Sequence, residues 1–244
     1  MAKFAVIIPA AGKGERFGGN ENKTLAKLDG RPVFLRTLQL FMGRADVCQT
    51  ILAVSPAEMP GIKAQFGANL GFMGVKLMEG GDRRCDTVAA VLPAILPEAE
   101  YIAVHDAVRP CTSVEQIDAV FAEATKSGAA ILASPVVGTV KRVSGSMVIE
   151  QTERREGLYE AQTPQVFRKD VLIQAYQRLG DKRNTVTDDA EVVELFGHPV
   201  AIVVSDPTNL KVTTKADITL ANAILKSRPV RTVPRMGAFE EAQW

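Results

Sequence analysis

Short apolar runs of high β-propensity alternate with longer stretches of helical periodicity along most of this chain. Residues 4–8, 50–54, 75–78, 101–104, 130–134 and 200–204 read as strands. Residues 33–41, a polar-apolar stretch ending near residue 66, and residues 84–95, 114–127, 169–179, 187–196 and 215–227 read as helices. This rhythm predicts βαβ units and an α/β fold built on a mostly parallel sheet flanked by helices. In the helix predicted over 114–127, Val114, Ile117, Val120 and Phe121 form the apolar stripe. Ser113 stands where an N-cap belongs, and Gln116, three residues on, completes a capping box.

The alternation breaks between residue 136 and about residue 162. Val140-Lys141-Arg142-Val143, a turn at Ser144-Gly145-Ser146, and Met147-Val148-Ile149 read as a β-hairpin. Its flanks are polar and charged, which predicts a projecting arm outside the main sheet. A short apolar segment, 210–212, precedes the last helix. Pro229, Pro234 and Gly237 mark residues 229–244 as a loosely attached tail, leaving residues 1–228 as a single expected domain.

Composition narrows the partners. At 244 residues with 46% hydrophobic content, the chain can bury a sizeable core. A net charge of +1, with acids and bases interspersed, leaves no electrostatic footprint for a nucleic acid. No apolar run approaches the length of a membrane span and no signal segment opens the chain, so a cytoplasmic protein is expected. Three cysteines without CxxC spacing argue against a disulfide framework and against a thiolate zinc site.

The chemistry gathers behind three strands. Residues 9–24, PAAGKGERFGGNENKT, invite three readings. A dinucleotide fingerprint needs a third glycine where Phe17 stands, and an acid at the end of the second strand, which instead reads Val54-Ser55-Pro56. A Walker A loop needs glycines at Phe17 and Asn22. A loop that wraps a nucleotide triphosphate in backbone N–H groups accounts for the whole stretch. Ala10, Ala11, Gly12 and Gly14 permit close approach, while Lys13, Arg16 and Lys23 supply positive charge.

A second loop, Glu79-Gly80-Gly81-Asp82-Arg83-Arg84-Cys85-Asp86-Thr87, follows a strand and opens a helix, on the sheet edge where ligands bind in open α/β folds. Asp82, Asp86 and Thr87 can serve a ligand or cap that helix. A third strand ends in Val104-His105-Asp106-Ala107-Val108-Arg109-Pro110. Asp106 suits Mg²⁺, which is usually held by one or two carboxylates together with substrate phosphates and water. It can equally form an ion pair with Arg109. His105 reads as a strand-end hydrogen-bonding residue and His198 as a turn residue without a chemical role.

Taken together, AAGKGERFG with Lys23 after it, EGGDRRCDTV, VHDAVRP, TVKR, REGLYEAQTPQVFR, TDDA and NLKVT resemble the 2-C-methyl-D-erythritol 4-phosphate cytidylyltransferase family, from the first strand to the last helix. The resemblance implies a Rossmann-like nucleotidyltransferase that joins CTP to methylerythritol phosphate and releases pyrophosphate. It sets Ala10, Ala11, Gly12, Gly81, Asp82 and Thr87 around cytidine, and Asp106 near Mg²⁺ and the sugar phosphate. It makes Arg16 and Lys23 the catalytic cations, with Lys211 assisting at the phosphates. It sets Arg109, Thr139, Arg155 and Thr163 around the acceptor, the last three on or beside an arm contributed by a second subunit of a homodimer. Asn22-Lys23-Thr24 departs from the family's Pro-Lys-Gln, and Gly138 stands where an acid is usual. A cytidylyltransferase for another polyol phosphate such as ribitol 5-phosphate, and a non-catalytic nucleotide sensor on the same fold, are the alternatives.

Overall fold

The computed structural model describes residues 1–11 and 24–228; residues 12–23 and the tail 229–244, with the expectations made for them, lie outside the described residues. In chain order the strands are β1 (Phe4–Pro9), β2 (Lys27–Leu28), β3 (Arg31–Pro32), β4 (Val47–Val54), β5 (Val75–Glu79), β6 (Tyr101–Val104), β7 (Ala129–Pro135), β8 (Val140–Val143), β9 (Ile149–Glu153), β10 (Tyr159–Arg168) and β11 (Ala201–Val204). The helices are α1 (Val33–Gln39), α2 (Met59–Phe72), α3 (Arg84–Val91), α4 (Val114–Ser127), α5 (Lys169–Arg178), α6 (Asp189–Leu195) and α7 (Lys215–Ser227).

Seven strands form the central sheet in the order β11-β7-β10-β6-β1-β4-β5. All neighbours are parallel except β10, which runs antiparallel between β6 and β7. The sheet is covered on both faces, which is why β1 reads as continuous apolar sequence. Val6 and Ile8 enter one core with Phe34, Leu38, Ile62, Ile117 and Phe121 of α1, α2 and α4. Ile7 enters the other with Val88, Leu172, Ala175 and Val192 of α3, α5 and α6. Each fully buried aliphatic side chain in these layers contributes on the order of 2 kcal/mol.

The anticipated cap on α4 is present: Ser113 Oγ accepts from Gln116 N–H at 3.2 Å, and Gln116 Oε1 accepts from Ser113 N–H at 2.9 Å. Gly128, at φ 84°, ends the helix in the left-handed conformation that favours glycine.

Several elements differ from the sequence reading. The sequence reading places residues up to about 162 in the arm and assigns no strand over 159–168, where Pro164 lacks the N–H a ladder needs. In the structure β10 fills the middle of the sheet, and its register shifts between Ala161 and Gln165, around that proline. The predicted arm therefore ends before residue 159. Within the arm, β8 and β9 pair as a separate two-stranded sheet. The return strand starts at Ile149 rather than Met147, because Met147 adopts φ 61° inside the turn. Helix α2 runs past residue 66 despite Gly67 and Gly71, which lower helix propensity. The helix expected over 84–95 gives way after Val91 to a 3-10 turn, Leu92–Ala94, at Pro93. The short apolar segment 210–212 is a loop, tied to the β6 side by Val212 N–H donating to Val108 O at 2.8 Å.

Candidate active site

The chain builds β4 and β5 on one side of β1 and then crosses to β6 on the other. Such a reversal leaves a crevice beyond the carboxyl ends of the strands. Here it holds a cavity of about 130 Å³ whose lining includes Ala10, Ala11, Thr24, Thr87, Asp106 and Lys211.

Local bonding explains the shape of this crevice. Ala10 N–H donates to Ala53 O at 2.7 Å and Gly80 N–H to Val54 O at 2.7 Å, which ties both loops to the end of β4. Thr87 is buried, and its hydroxyl folds the second loop back by accepting from Gly81 N–H and donating to Gly81 O, both at 3.1 Å. A Cβ at Gly81 would lie 2.6 Å from Asp86 Cβ, so only glycine fits there. Arg83, without a side-chain cap bond, occupies the N-cap of α3, so Thr87 serves the loop and not the helix end. Asp82 is exposed.

Asp106 is the electrostatic centre. Its carboxylate meets Lys211 Nζ at 2.8 Å, Arg84 Nε at 3.2 Å and Arg109 Nε at 3.5 Å. Burial pushes the carboxyl up, but these three cations outweigh it and hold the group well below the usual carboxylate range. The ion pair with Arg109 anticipated as an alternative is thus present as one of three. The sequence reading names Arg84 within the second loop but gives it no role.

The loop carrying Asp106 and Arg109 is fixed by one imidazole. Asp106 N–H donates to Thr163 Oγ1 at 3.0 Å, and the Thr163 hydroxyl reaches His105 Nδ1 at 3.0 Å. Having accepted from Asp106, that hydroxyl donates to Nδ1, which leaves the His105 Nε2–H for Arg109 O at 3.2 Å. Burial lowers the His105 pKa to about 4, consistent with this neutral form. His105 is therefore the hydrogen-bonding residue expected, and Thr163 already has its hydroxyl engaged.

Asn209, also missed, joins three segments. Its amide donates to Gln162 Oε1 and Thr163 O at 2.9 Å each, its Oδ1 accepts from Thr112 Oγ1 at 2.8 Å, and its carbonyl accepts from Arg109 Nη1 at 2.7 Å. Beyond it opens a second cavity of about 350 Å³, bordered by Arg109, Gly138, Gln162, Asn209 and Lys211. Lys211 lines both cavities.

The structure thus brings together Ala10, Ala11, Thr87, Asp106 and Lys211 around one cavity, with Arg109 and Thr163 behind them and Gly81 in the adjoining loop. Thr139 and Arg155 lie apart, exposed at the base of the arm, where Arg155 Nη1 donates to Val137 O. Gly12, Gly14, Arg16 and Lys23 fall outside the described residues.

Among the described residues no cluster of three or more His, Cys, Asp or Glu side chains could hold a metal by itself. A single cavity-facing carboxylate fits Mg²⁺, which takes much of its shell from substrate phosphates and water, and does not fit a protein-caged metal. Among the described residues no helix is long and apolar enough to cross a membrane.

Residues 4–227 match the family model described as 2-C-methyl-D-erythritol 4-phosphate cytidylyltransferase. A protein of that name from Rhodopirellula baltica is 40% identical over 92% of this chain and 95% of its own length. Another from Alkaliphilus oremlandii is 35% identical over 93% of this chain and 97% of its own. Among solved structures, the 4-diphosphocytidyl-2C-methyl-D-erythritol synthase of Anaerococcus prevotii superposes with a TM-score of 0.78 at 28% identity, covering 92% of this chain and 96% of that one. The Thermus thermophilus 2-C-methyl-D-erythritol 4-phosphate cytidylyltransferase gives 0.74 at 29% identity, covering 93% of this chain and all of that one.

Proposed function

This chain belongs to the 2-C-methyl-D-erythritol 4-phosphate cytidylyltransferase family, and on that premise we propose how its residues transfer the cytidylyl group of CTP to 2-C-methyl-D-erythritol 4-phosphate in isoprenoid synthesis. The observation that carries the mechanism is the place of Lys211, on the wall shared by two cavities and 2.8 Å from Asp106.

The first cavity receives CTP against Ala10, Ala11, Gly81, Asp82 and Thr87, with Gly12 and Gly14 wrapping the triphosphate. The second receives the acceptor, whose phosphate meets Arg109 and Lys211. An acceptor phosphate oxygen attacks the α-phosphorus of CTP in line. One P–O bond forms, the bond to the β-phosphate oxygen breaks, and pyrophosphate leaves with its electron pair. The products are 4-diphosphocytidyl-2-C-methyl-D-erythritol and pyrophosphate. The attacking phosphate is already ionised near neutral pH, so no general base is needed.

Two polyanions must meet while negative charge grows on the phosphorus and the leaving group. Lys211 brings positive charge to that point, and Arg16 and Lys23 are the further cations of the proposal; such electrostatic stabilisation carries most of the rate in sites of this kind. Asp106 would hold Mg²⁺, which would supply positive charge to offset that of the phosphates. Thr139 and Arg155 reach the acceptor from the arm of a second subunit, making the working unit a homodimer, and Thr163 holds the Asp106 loop beneath it. The compartment is the cytoplasm, and residues 1–228 act as one catalytic domain.

The direct test is pyrophosphate release with CTP and Mg²⁺, comparing methylerythritol phosphate, ribitol 5-phosphate and no acceptor. Release confined to methylerythritol phosphate is expected. Release with ribitol phosphate alone would overturn the acceptor, and release with neither would overturn the reaction.

A further inference from the structure

Arg84 and Asp189 carry opposite charges on the buried faces of α3 and α6, and none of the roles above uses Asp189. The Arg84 guanidinium spans two carboxylates. Its Nη1 lies 2.5 Å from Asp189 Oδ2, while its Nε donates to Asp106 Oδ1 at 3.2 Å. Asp189 is fully buried and held from three directions. Its N–H donates to Gln165 Oε1 at 3.0 Å, its Oδ1 accepts from the Tyr176 hydroxyl at 2.5 Å, and its Oδ2 is ion-paired with Arg84. The Gln165 amide also donates to Asp188 Oδ2 at 2.8 Å, so strand β10 fixes the start of α6 beneath the acid.

We propose that Asp189 is a positioning residue for cytidylyl transfer: it anchors Arg84 from behind, and Arg84 in turn sets the direction of the Asp106 carboxylate at the phosphates. This rests on the cytidylyltransferase reading given above. Lys211 reaches Asp106 through a flexible stem that is 38% exposed, and Arg109 stands further off at 3.5 Å, so neither fixes the carboxylate plane. A planar guanidinium held at its far end does, because its N–H vectors cannot rotate independently. A buried acid needed only to neutralise Arg84 would require no bond from Arg84 onward to the cavity. The onward bond to Asp106 is the feature that a purely structural pair leaves unaccounted for.

The experiment compares wild type with Asp189→Asn, Tyr176→Phe and, as a stability control, Val193→Ala, which opens a cavity in the same helix without touching a polar contact. Steady-state pyrophosphate release is measured per folded molecule, well below each melting temperature. Protection of the Arg84 Nε–H is followed in parallel by ¹⁵N NMR. Asp189→Asn is expected to lower kcat about 10- to 100-fold with KM for CTP within about 3-fold, and to expose the Arg84 Nε–H to rapid exchange. Tyr176→Phe should lower kcat several-fold, while Val193→Ala keeps wild-type kcat despite its lower melting temperature. Wild-type kcat in Asp189→Asn, or an Arg84 Nε–H that stays protected in it, overturns the proposal. Should Asp189→Asn fail to fold, Tyr176→Phe decides, and an unchanged kcat there overturns it equally. Wild type inactive with CTP and methylerythritol phosphate would instead sink the cytidylyltransferase reading, and the exchange measurement would still decide whether Asp189 holds Arg84.

Discussion

The Lys211 ammonium lies 2.8 Å from the Asp106 carboxylate, yet the two residues differ in how deeply the fold depends on them. Lys211 is partly exposed, whereas Asp106 is nearly buried among three cations. Removing the lysine leaves Asp106 paired with Arg84 and Arg109. Lys211→Met should therefore cost under about 1 kcal/mol of stability, while lowering kcat on the order of 10² to 10³. Asp106→Asn should lose Mg²⁺-dependent turnover and, by leaving buried Arg109 short of its partner, about 3 kcal/mol of stability without loss of the fold. Urea unfolding beside steady-state kinetics checks both variants. Equal stability losses in the two would contradict the unequal burial on which this contrast depends.

The alternating strands and helices, the α4 cap and the sheet edge that carries the site were legible because each is a local pattern. β10 was not. Its burial comes from β6 and β7 closing on either side, a long-range fact that Gln162, Thr163 and Pro164 conceal. Asp106 and Lys211 could be picked out one by one, but their pairing joins a strand end to a loop more than a hundred residues later. Arg84 left a trace that went unread: it shares its helical stripe with Thr87, Val88 and Val91, all buried. Asp189 likewise shares its stripe with buried Val192 and Val193. Two opposite charges on buried helix faces are a signal for mutual pairing, since either alone would be costly.

His105 ties stability to pH. It is fully buried, and its pKa falls from an ordinary 6.5 to about 4 in the folded chain. The unfolded chain thus binds the extra proton first. The stability contributed by the neutral ring is complete above pH 6.5 and is lost as pH falls through about 4. Integrated over that window, the loss approaches about 3 kcal/mol. Urea unfolding from pH 7 to pH 4 should show a steeper decline for wild type than for His105→Gln, which cannot take up that proton. Parallel declines would remove His105 as the source.

Gly81 tests how closely the second loop must approach. Gly81→Ala would drive a methyl to 2.6 Å from Asp86 Cβ and 3.0 Å from its backbone carbon, contacts that cannot relax by a side-chain rotation alone. The loop must move, and the Thr87 bonds to Gly81 stretch with it. A stability loss of about 1–3 kcal/mol follows from such overpacking. If CTP lies against this loop, its KM should rise about 10-fold while the acceptor KM changes little, because residues 79–87 contribute to the lining of the first cavity and not of the second. Isothermal titration with CTP gives the check independent of turnover, and unchanged CTP affinity would move the nucleotide away from Gly81.

The arm carries the last prediction. Met147 and Val148 in the turn and Ile149 at the start of β9 are 78%, 62% and 60% exposed, at the end of a separate two-stranded sheet. A bare two-stranded hairpin is marginal in water, and three consecutive exposed apolar residues invite a partner surface. Arg155 and Thr139 stand at the base of the same arm, which joins their proposed role at the acceptor to the state of assembly. On the proposed homodimer, wild type is expected to sediment as a dimer and Ile149→Glu as a monomer. It should raise KM for methylerythritol phosphate at least about 10-fold and leave CTP binding within about 3-fold, because the nucleotide cavity is built from one subunit. A variant that still sediments as a dimer would exclude this face of the arm from the interface. A monomer with unchanged acceptor KM would show that Thr139 and Arg155 serve no neighbouring site.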